Sequence, residues 1–291
     1  MALPIIGIAM IWVYKNLLSA SVSQGINGIL IFLQGRIPSV PWLMTPSILI
    51  STLASHLFGA SVGREGTAVQ MGGGVSALLM KAIPFENHHR KTLMKCGVAA
   101  GFSALFGTPL AASVFAFEFS KRGEVNLKGG LWVLMASFLA YFVYEFWHLP
   151  HAHYHIEKTP TIEPEILFWA ATSGLCFAVA FYVFHKVFSL VKQSITKFKI
   201  NPYLAISSIS VFVIFSSWLM NDYSFLGLGL PTIQKAFIEP AGFEVFLIKL
   251  FFTAICLAVG FKGGEVTPLF FIGATLGSAM SIFIPLPLSL L

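Results

Sequence analysis

Residues 95–122, KCGVAAGFSALFGTPLAASVFAFEFSKR, decide how this chain is organised. Between Lys95 and the Lys121-Arg122 pair the only charge is Glu118, and the stretch is long enough for a membrane-crossing helix of about 20 residues. It is flanked by basic clusters on both sides: Lys81, Arg90, Lys91 and Lys95 before it, Lys121, Arg122 and Lys128 after it. Short loops rich in Lys and Arg stay on the cytoplasmic side. One straight crossing would put these two clusters on opposite sides. The segment must therefore enter and return, and Phe106-Gly107-Thr108-Pro109 supplies the break. Glycine frees the backbone, and proline suits the first turn of a new helix. Two half-helices are expected, 96–106 and 109–119.

The composition around this stretch is that of a polytopic, all-α membrane protein. Of 291 residues, 56% are hydrophobic and 10% charged, against about 25% charged in a soluble domain. Mean hydropathy is +0.82. The net charge of +6 lies in short loops, so it reads as topology and not as a nucleic-acid surface. Cys96, Cys176 and Cys256 stand 80 residues apart in apolar segments, as small core residues would. The first residues, MALPIIGIAMIWVYKN, lack a basic start and a small-residue cleavage site, and read as helix. No feature points to an enzyme, a cofactor or a bound metal.

Windows free of charge mark the expected spans: about 2–14, 16–35, 37–63, 66–80, 96–117, 129–144, 166–184, 200–221, 250–261 and 266–291. Their runs are continuous and not alternating, which favours helix over strand. Several are short or broken by Gly and Pro, as expected where backbone lines a site within the membrane. Lys186, Lys192, Lys197 and Lys199 form a third basic cluster, assigned to the inside. Loops 148–165 and 222–244 hold Glu157, Glu163, Glu165, Asp222, Glu239 and Glu244 against two lysines, and are assigned to the outside.

Two glycine-flanked carboxylates stand out. GREGT, residues 63–67, places Glu65 where an apolar segment opens. GGEVTP, residues 263–268, places Glu265 ahead of a threonine and a proline. Converging N–H groups at a helix start attract anions, and an ionisable group inside a membrane segment points to function. The structural alternatives are an interfacial Arg64–Glu65 pair capping a helix, and Glu265 paired with Lys262 at the interface. Two such loops 200 residues apart suggest two repeats, about 1–128 and 129–291, of a single domain meeting at one site. Glu118, beside Lys121 and Arg122, reads as structural. HLPHAHYH, residues 148–155, and His88-His89 admit metal binding in principle, but a polar outer loop explains the former better. GLGLPTIQKAF, residues 227–237, reads as a Gly-Pro turn before a short helix.

Together these motifs resemble the CLC family of anion channels and proton-coupled anion antiporters, from about residue 20 to 285. GREGT is similar to the family's G-K/R-E-G-P motif, which makes Glu65 the external gating glutamate. GFSALFGTPLAASVFAFEF is similar to the family segment that ends in glutamates, and GGEVTP stands in the place of the G-x-F-x-P anion loop. The resemblance implies an inverted-repeat fold of tilted, broken helices, a homodimer and one pore per subunit. Thr67 in place of proline and Glu265-Val266-Thr267 in the anion loop are similar to the bacterial fluoride/proton antiporters. Phe119 stands where chloride antiporters carry an inner proton-relay glutamate, which favours the same subgroup. The first anion loop aligns to Ser23-Gln24-Gly25-Ile26-Asn27, with Gln24 in place of a serine. The family's first and last helices are short or without a counterpart here, so the chain reads as a fragment.

The resemblance implies proton-coupled fluoride export, hence fluoride resistance, across a bacterial inner membrane. Glu65 and Glu265 would handle protons, and Gln24, Gly63, Arg64, Gly66, Gly264, Val266 and Thr267 the anion. Ionised carboxylates repel a neighbouring anion, so both glutamates are expected to hold a proton when fluoride is bound. The alternatives are a chloride channel or chloride/proton exchanger, and a truncated membrane protein that transports nothing.

Overall fold

The computed structural model describes residues 2–119, 127–148 and 163–288. Among them thirteen helices form: α1 (Leu3–Asn16), α2 (Ala20–Ser23), α3 (Ile26–Leu33), α4 (Met44–Leu57), α5 (Glu65–Ala82), α6 (Asn87–Phe106), α7 (Pro109–Glu118), α8 (Gly130–Phe146), α9 (Pro164–Lys197), α10 (Pro202–Met220), α11 (Leu230–Ala236), α12 (Phe243–Val259) and α13 (Val266–Met280). Proline opens α7, α9, α10 and α11, where its missing N–H is not needed. Residues 149–155 of the histidine-rich stretch, Glu157, and the Lys121-Arg122 pair lie outside the described residues.

The break inside residues 95–122 is present. Gly107 ends α6 in a left-handed conformation, φ +68°, and α7 starts two residues later. Serine hydroxyls from three helices bond to backbone carbonyls around the break. Here Ser113 Oγ donates to the Pro109 carbonyl at 2.9 Å, and Ser137 Oγ of α8 donates to the same oxygen. Ser103 Oγ of α6 in turn donates to the Ser137 carbonyl at 2.7 Å. Three serines thus stitch the break.

Several boundaries differ from the charge-free windows. α6 starts at Asn87 and takes in Arg90, Lys91 and Lys95, and α9 runs 34 residues through Lys186 and Lys192 to Lys197. Charge marks where apolar surroundings end, whereas Lys and Arg are good helix formers and let a helix continue past that point. The window 16–35 divides into α2 and α3 around Gly25, φ +54°. The window 37–63 holds only α4, preceded by an irregular stretch with Pro38 and Pro41. α13 begins at Val266, two residues ahead of Pro268. By length and composition α9 and α10 can each cross a membrane. α9, at about 1.5 Å per residue, exceeds a hydrocarbon core of about 30 Å and must tilt or project.

The chain divides into two compact units. One comprises Trp12–Thr52 and Arg64–Ala152, the other Met1–Ile11, Leu53–Gly63 and His153–Leu291. In the former, α6 packs against α5, α7 and α8 around Ile29, Val69, Met94, Val98, Ala116 and Val133. The approach of α5 to α6 is close because Gly97 and Gly101 form a G-x-x-x-G stripe. A methyl on Gly97 would stand 2.3 Å from the Gly72 carbonyl oxygen, and one on Gly101 2.3 Å from that of Ala68. In the other unit α9, α12 and α13 share a core of Ala180, Phe184, Leu250, Ala254, Ile272 and Leu276.

Candidate functional site

In the unit holding α12 and α13, Gly63 and Gly264 form an isolated antiparallel bridge. Gly63 N–H donates to the Gly264 carbonyl at 2.5 Å, and Gly264 N–H donates back at 2.7 Å. Both glycines are buried. The 60–63 strand is also fixed sideways, since Ser61 and Thr253 of α12 share a buried hydroxyl–hydroxyl bond of 2.9 Å. α12 stops at Gly260, φ +105°, a conformation that glycine adopts readily and L side chains rarely do. The chain then runs through the bridge into α13. Glu265 is the N-cap and is exposed, Val266 is the first helical residue, and Thr267 is buried at 7% exposure.

In the unit holding α5 and α6, Arg64 is the exposed N-cap of α5 and Glu65 its first residue, 2% exposed. Thr67, one turn in, shares a buried 2.7 Å bond with Thr52 of α4. Gln70 Nε2 donates to the Gly66 carbonyl at 3.0 Å. The same amide lies against Gly25, where a methyl would stand 2.8 Å from its Oε1. Gln70, bonded within the first turns of α5, thus packs against the turn that follows Gln24, itself the exposed C-cap of α2. The structure thus brings Gly66 and the Gln24 turn together through a residue that the motifs did not point to.

The two carboxylates are not equivalent. By motif the loops align as G-x-E-x-T, Gly63 to Thr67 and Gly263 to Thr267. By geometry they align one residue apart. The bridge pairs Gly63 with Gly264, and the N-caps are Arg64 (φ −118°, ψ −7°) and Glu265 (φ −108°, ψ −16°). Glu65 thus corresponds to Val266, and Gly66 to Thr267. Neither N-cap side chain closes its helix with a hydrogen bond, so the first-turn N–H groups are left to other acceptors.

Lys249 is a further residue outside the motifs. It stood at the edge of a charge-free window, yet it is fully buried inside α12. Its Nζ donates to the carbonyls of Phe225 at 3.0 Å and Gly227 at 2.6 Å, and lies 5.0 Å from the Phe271 ring centroid. It fastens the turn ahead of α11 to α12 beside α13. A lysine with apolar neighbours on both sides in residues 245–259 was the available signal. Glu118, the last residue of α7, is exposed, and Phe119 continues an aromatic row from Phe102 through Phe115.

A family model described as voltage gated chloride channel matches residues 6–289. A chloride/fluoride channel protein of Pseudomonas syringae pv. tomato is 35% identical over 99% of this chain and 65% of its own length. A proton/chloride exchange transporter of Vibrio cholerae is 24% identical over 86% of this chain and 55% of its own. The chain thus spans between about half and two thirds of these relatives. The crystal structure of a CLC-type fluoride/proton antiporter matches with a TM-score of 0.93 at 30% identity, covering 99% of this chain and 73% of that one. A slow cyanobacterial chloride/proton antiporter shares the fold, with a TM-score of 0.81 at 20% identity.

Proposed function

The chain belongs to the voltage gated chloride channel family, a polytopic helical membrane fold, and from that footing we propose that it exchanges fluoride for protons across a bacterial cytoplasmic membrane. The observation that carries this is the chemistry of the second loop. A carboxylate at the N-cap, Glu265, is followed two residues later by the buried hydroxyl of Thr267. The similarity to a Pseudomonas chloride/fluoride channel protein and to a CLC-type fluoride/proton antiporter points the same way.

Fluoride is small and holds its water tightly. A site that takes it must replace that water with strong donors. In the second loop the first-turn N–H groups of α13 and the Thr267 hydroxyl are such donors, and the helix dipole adds positive potential. Glu65, buried at the start of α5, is assigned to carry the proton and to stand in for the anion when the site is empty. Glu265 is assigned the second proton. Gln70 keeps the α5 turn and the Gln24 turn in register. A homodimer and a repeat division near residue 128 belong to the same proposal.

Anion efflux from liposomes that hold the purified protein tests it, with fluoride or chloride inside and ion-selective electrodes outside. Fluoride release many-fold faster than chloride release, with proton uptake, is expected. Chloride release at an equal or higher rate would transfer the assignment to chloride exchange, and flux of neither ion would refute transport by this chain.

A further inference from the structure

Away from both loops, a cavity of about 380 Å³ opens between the first turns of α6 and the start of α8. His88, His89, Lys91, Lys95, Lys128 and Trp132 line it. An adjoining cavity of about 480 Å³ adds Arg36 and Arg90 and shares Lys91. All belong to the unit built around α6. Three fixed cations, Lys91, Lys95 and Lys128, thus line the first cavity, and Lys91 joins it to the two arginines of the second. Among the described residues the acidic group there is Glu86, 3.4 Å from His88 Nδ1.

Charge sidedness explains why basic residues occur in these loops, but not why they converge. The convergence is built. Gly129, φ +76°, presses the 127–130 turn onto α6 so closely that a methyl there would stand 2.3 Å from Thr92 Cγ2. That places Lys128 beside Lys91. Gly35, φ +77°, does the same from α3, where a methyl would stand 3.1 Å from Lys91 Nζ. Lys95 is 5% exposed, with Nζ 5.6 Å from the Phe117 ring centroid. Its charge is therefore less screened by water than that of a surface lysine. Glu86, His88 and His89 bring three metal-ligating atoms within 4.8 Å of one another, but the lysines around them oppose a divalent cation.

We propose that this cavity binds a phosphate group, either the headgroup of an anionic phospholipid or soluble phosphate. Lysines act on phosphate as point charges and suit a cavity that collects several of them. Trp132, 63% exposed at the rim, is the residue type that settles at a membrane interface. The proposal is independent of which anion the protein moves.

Native mass spectrometry of the purified full chain tests it, with phosphatidylglycerol against phosphatidylcholine, and calorimetry with inorganic phosphate or pyrophosphate. The variants are Lys91→Gln/Lys128→Gln, with Lys95→Gln made separately because that side chain is buried. Lys186→Gln/Lys192→Gln on α9 is the control. A loss of about tenfold in phosphatidylglycerol binding in the pocket variant alone supports the site with lipid as its source. The same loss for inorganic phosphate or pyrophosphate, with phosphatidylglycerol unaffected, supports it with a soluble source. Equal weakening by the α9 control, or a wild-type chain that binds neither phosphatidylglycerol above phosphatidylcholine nor phosphate, overturns it.

Discussion

Gly263→Ala is the sharpest probe of the glycine bridge. A methyl on Gly263 would stand 2.6 Å from both Cβ and Cγ2 of Val62 and 2.7 Å from the Gly63 carbonyl oxygen. Ordinary contact begins at 3.4 Å, so the two strands must part by roughly 0.8 Å. A parting of that size would carry the bridge bonds, now 2.5 and 2.7 Å, past the usual limit of about 3.2 Å. Overpacking costs about 1–3 kcal/mol. Two backbone hydrogen bonds contribute about 1 kcal/mol each. The two sums are comparable, so the variant relieves its strain by opening the bridge in a large share of molecules.

Melting in detergent should fall by several degrees, at about 2–4 °C per kcal/mol. Fluoride efflux should slow by about tenfold, the factor that ~1.4 kcal/mol represents. Two neighbouring glycines isolate the cause. Gly273, in α13, has no atom within 4 Å of an added methyl, so Gly273→Ala should stabilise by about 0.5–1 kcal/mol and leave efflux intact. Gly260 also has open space but sits at φ +105°, so Gly260→Ala should lower melting through backbone strain and spare the bridge. Wild-type melting and efflux in Gly263→Ala would refute the role given to the bridge. So would a loss of efflux in Gly260→Ala equal to that in Gly263→Ala.

Five other substitutions, at four positions, read separate parts of the structure and the proposal. Glu65→Gln keeps the side chain's shape and removes its titration, so fluoride flux should continue without proton uptake; proton movement locked to fluoride in this variant would take Glu65 out of the relay. Thr267→Val deletes one donor at the start of α13, and the preference for fluoride over chloride should fall severalfold in paired efflux traces; an unchanged ratio would remove the hydroxyl from selectivity. Gly97→Leu drives a side chain into the Gly72 backbone, 2.3 Å from a methyl, and should abolish monodisperse protein in size-exclusion chromatography; a well-behaved variant would mean that α5 and α6 do not need that contact. Lys249→Ala leaves the Phe225 and Gly227 carbonyls without their donor, at about 1–3 kcal/mol each, and opens a cavity as well. Lys249→Met fills that cavity and sheds a buried charge, so it should melt well above Lys249→Ala; equal melting would show that the volume of the stem is unimportant.

What was legible in the sequence follows from which constraint is local. The break at Gly107 was legible because charge sidedness demanded a return and Gly-Thr-Pro was the place for it. The half-helices 96–106 and 109–119 are the end of α6 and the whole of α7 with its C-cap Phe119. The start of α6 was not legible. Helix continuation through Arg90, Lys91 and Lys95 depends on backbone bonds and on the packing of Lys95 over Phe117, which no charge-free window registers. Gln70, Ser61 and Thr253 were invisible for a different reason. Ser61 and Thr253 bond to each other, and Gln70 packs against Gly25, partners that only the tertiary fold supplies, and a lone Ser, Thr or Gln in an apolar run has no distinctive spacing.

The register of the two loops shows the limit of motif logic most clearly. Counting residues makes Glu65 and Glu265 counterparts, because G-x-E-x-T occurs at both places. Hydrogen bonding makes Arg64 and Glu265 counterparts, because the paired glycines are Gly63 and Gly264. Side-chain direction turns by about 100° for each residue along a helix, so a one-residue offset sends the two carboxylates different ways relative to their own helix axes. Glu65 is buried and Glu265 is exposed. A buried carboxylate at the first helical position competes for the same first-turn N–H groups that an anion would use. One motif written twice thus yields two different positions, one buried at the first residue of its helix and one exposed at the N-cap.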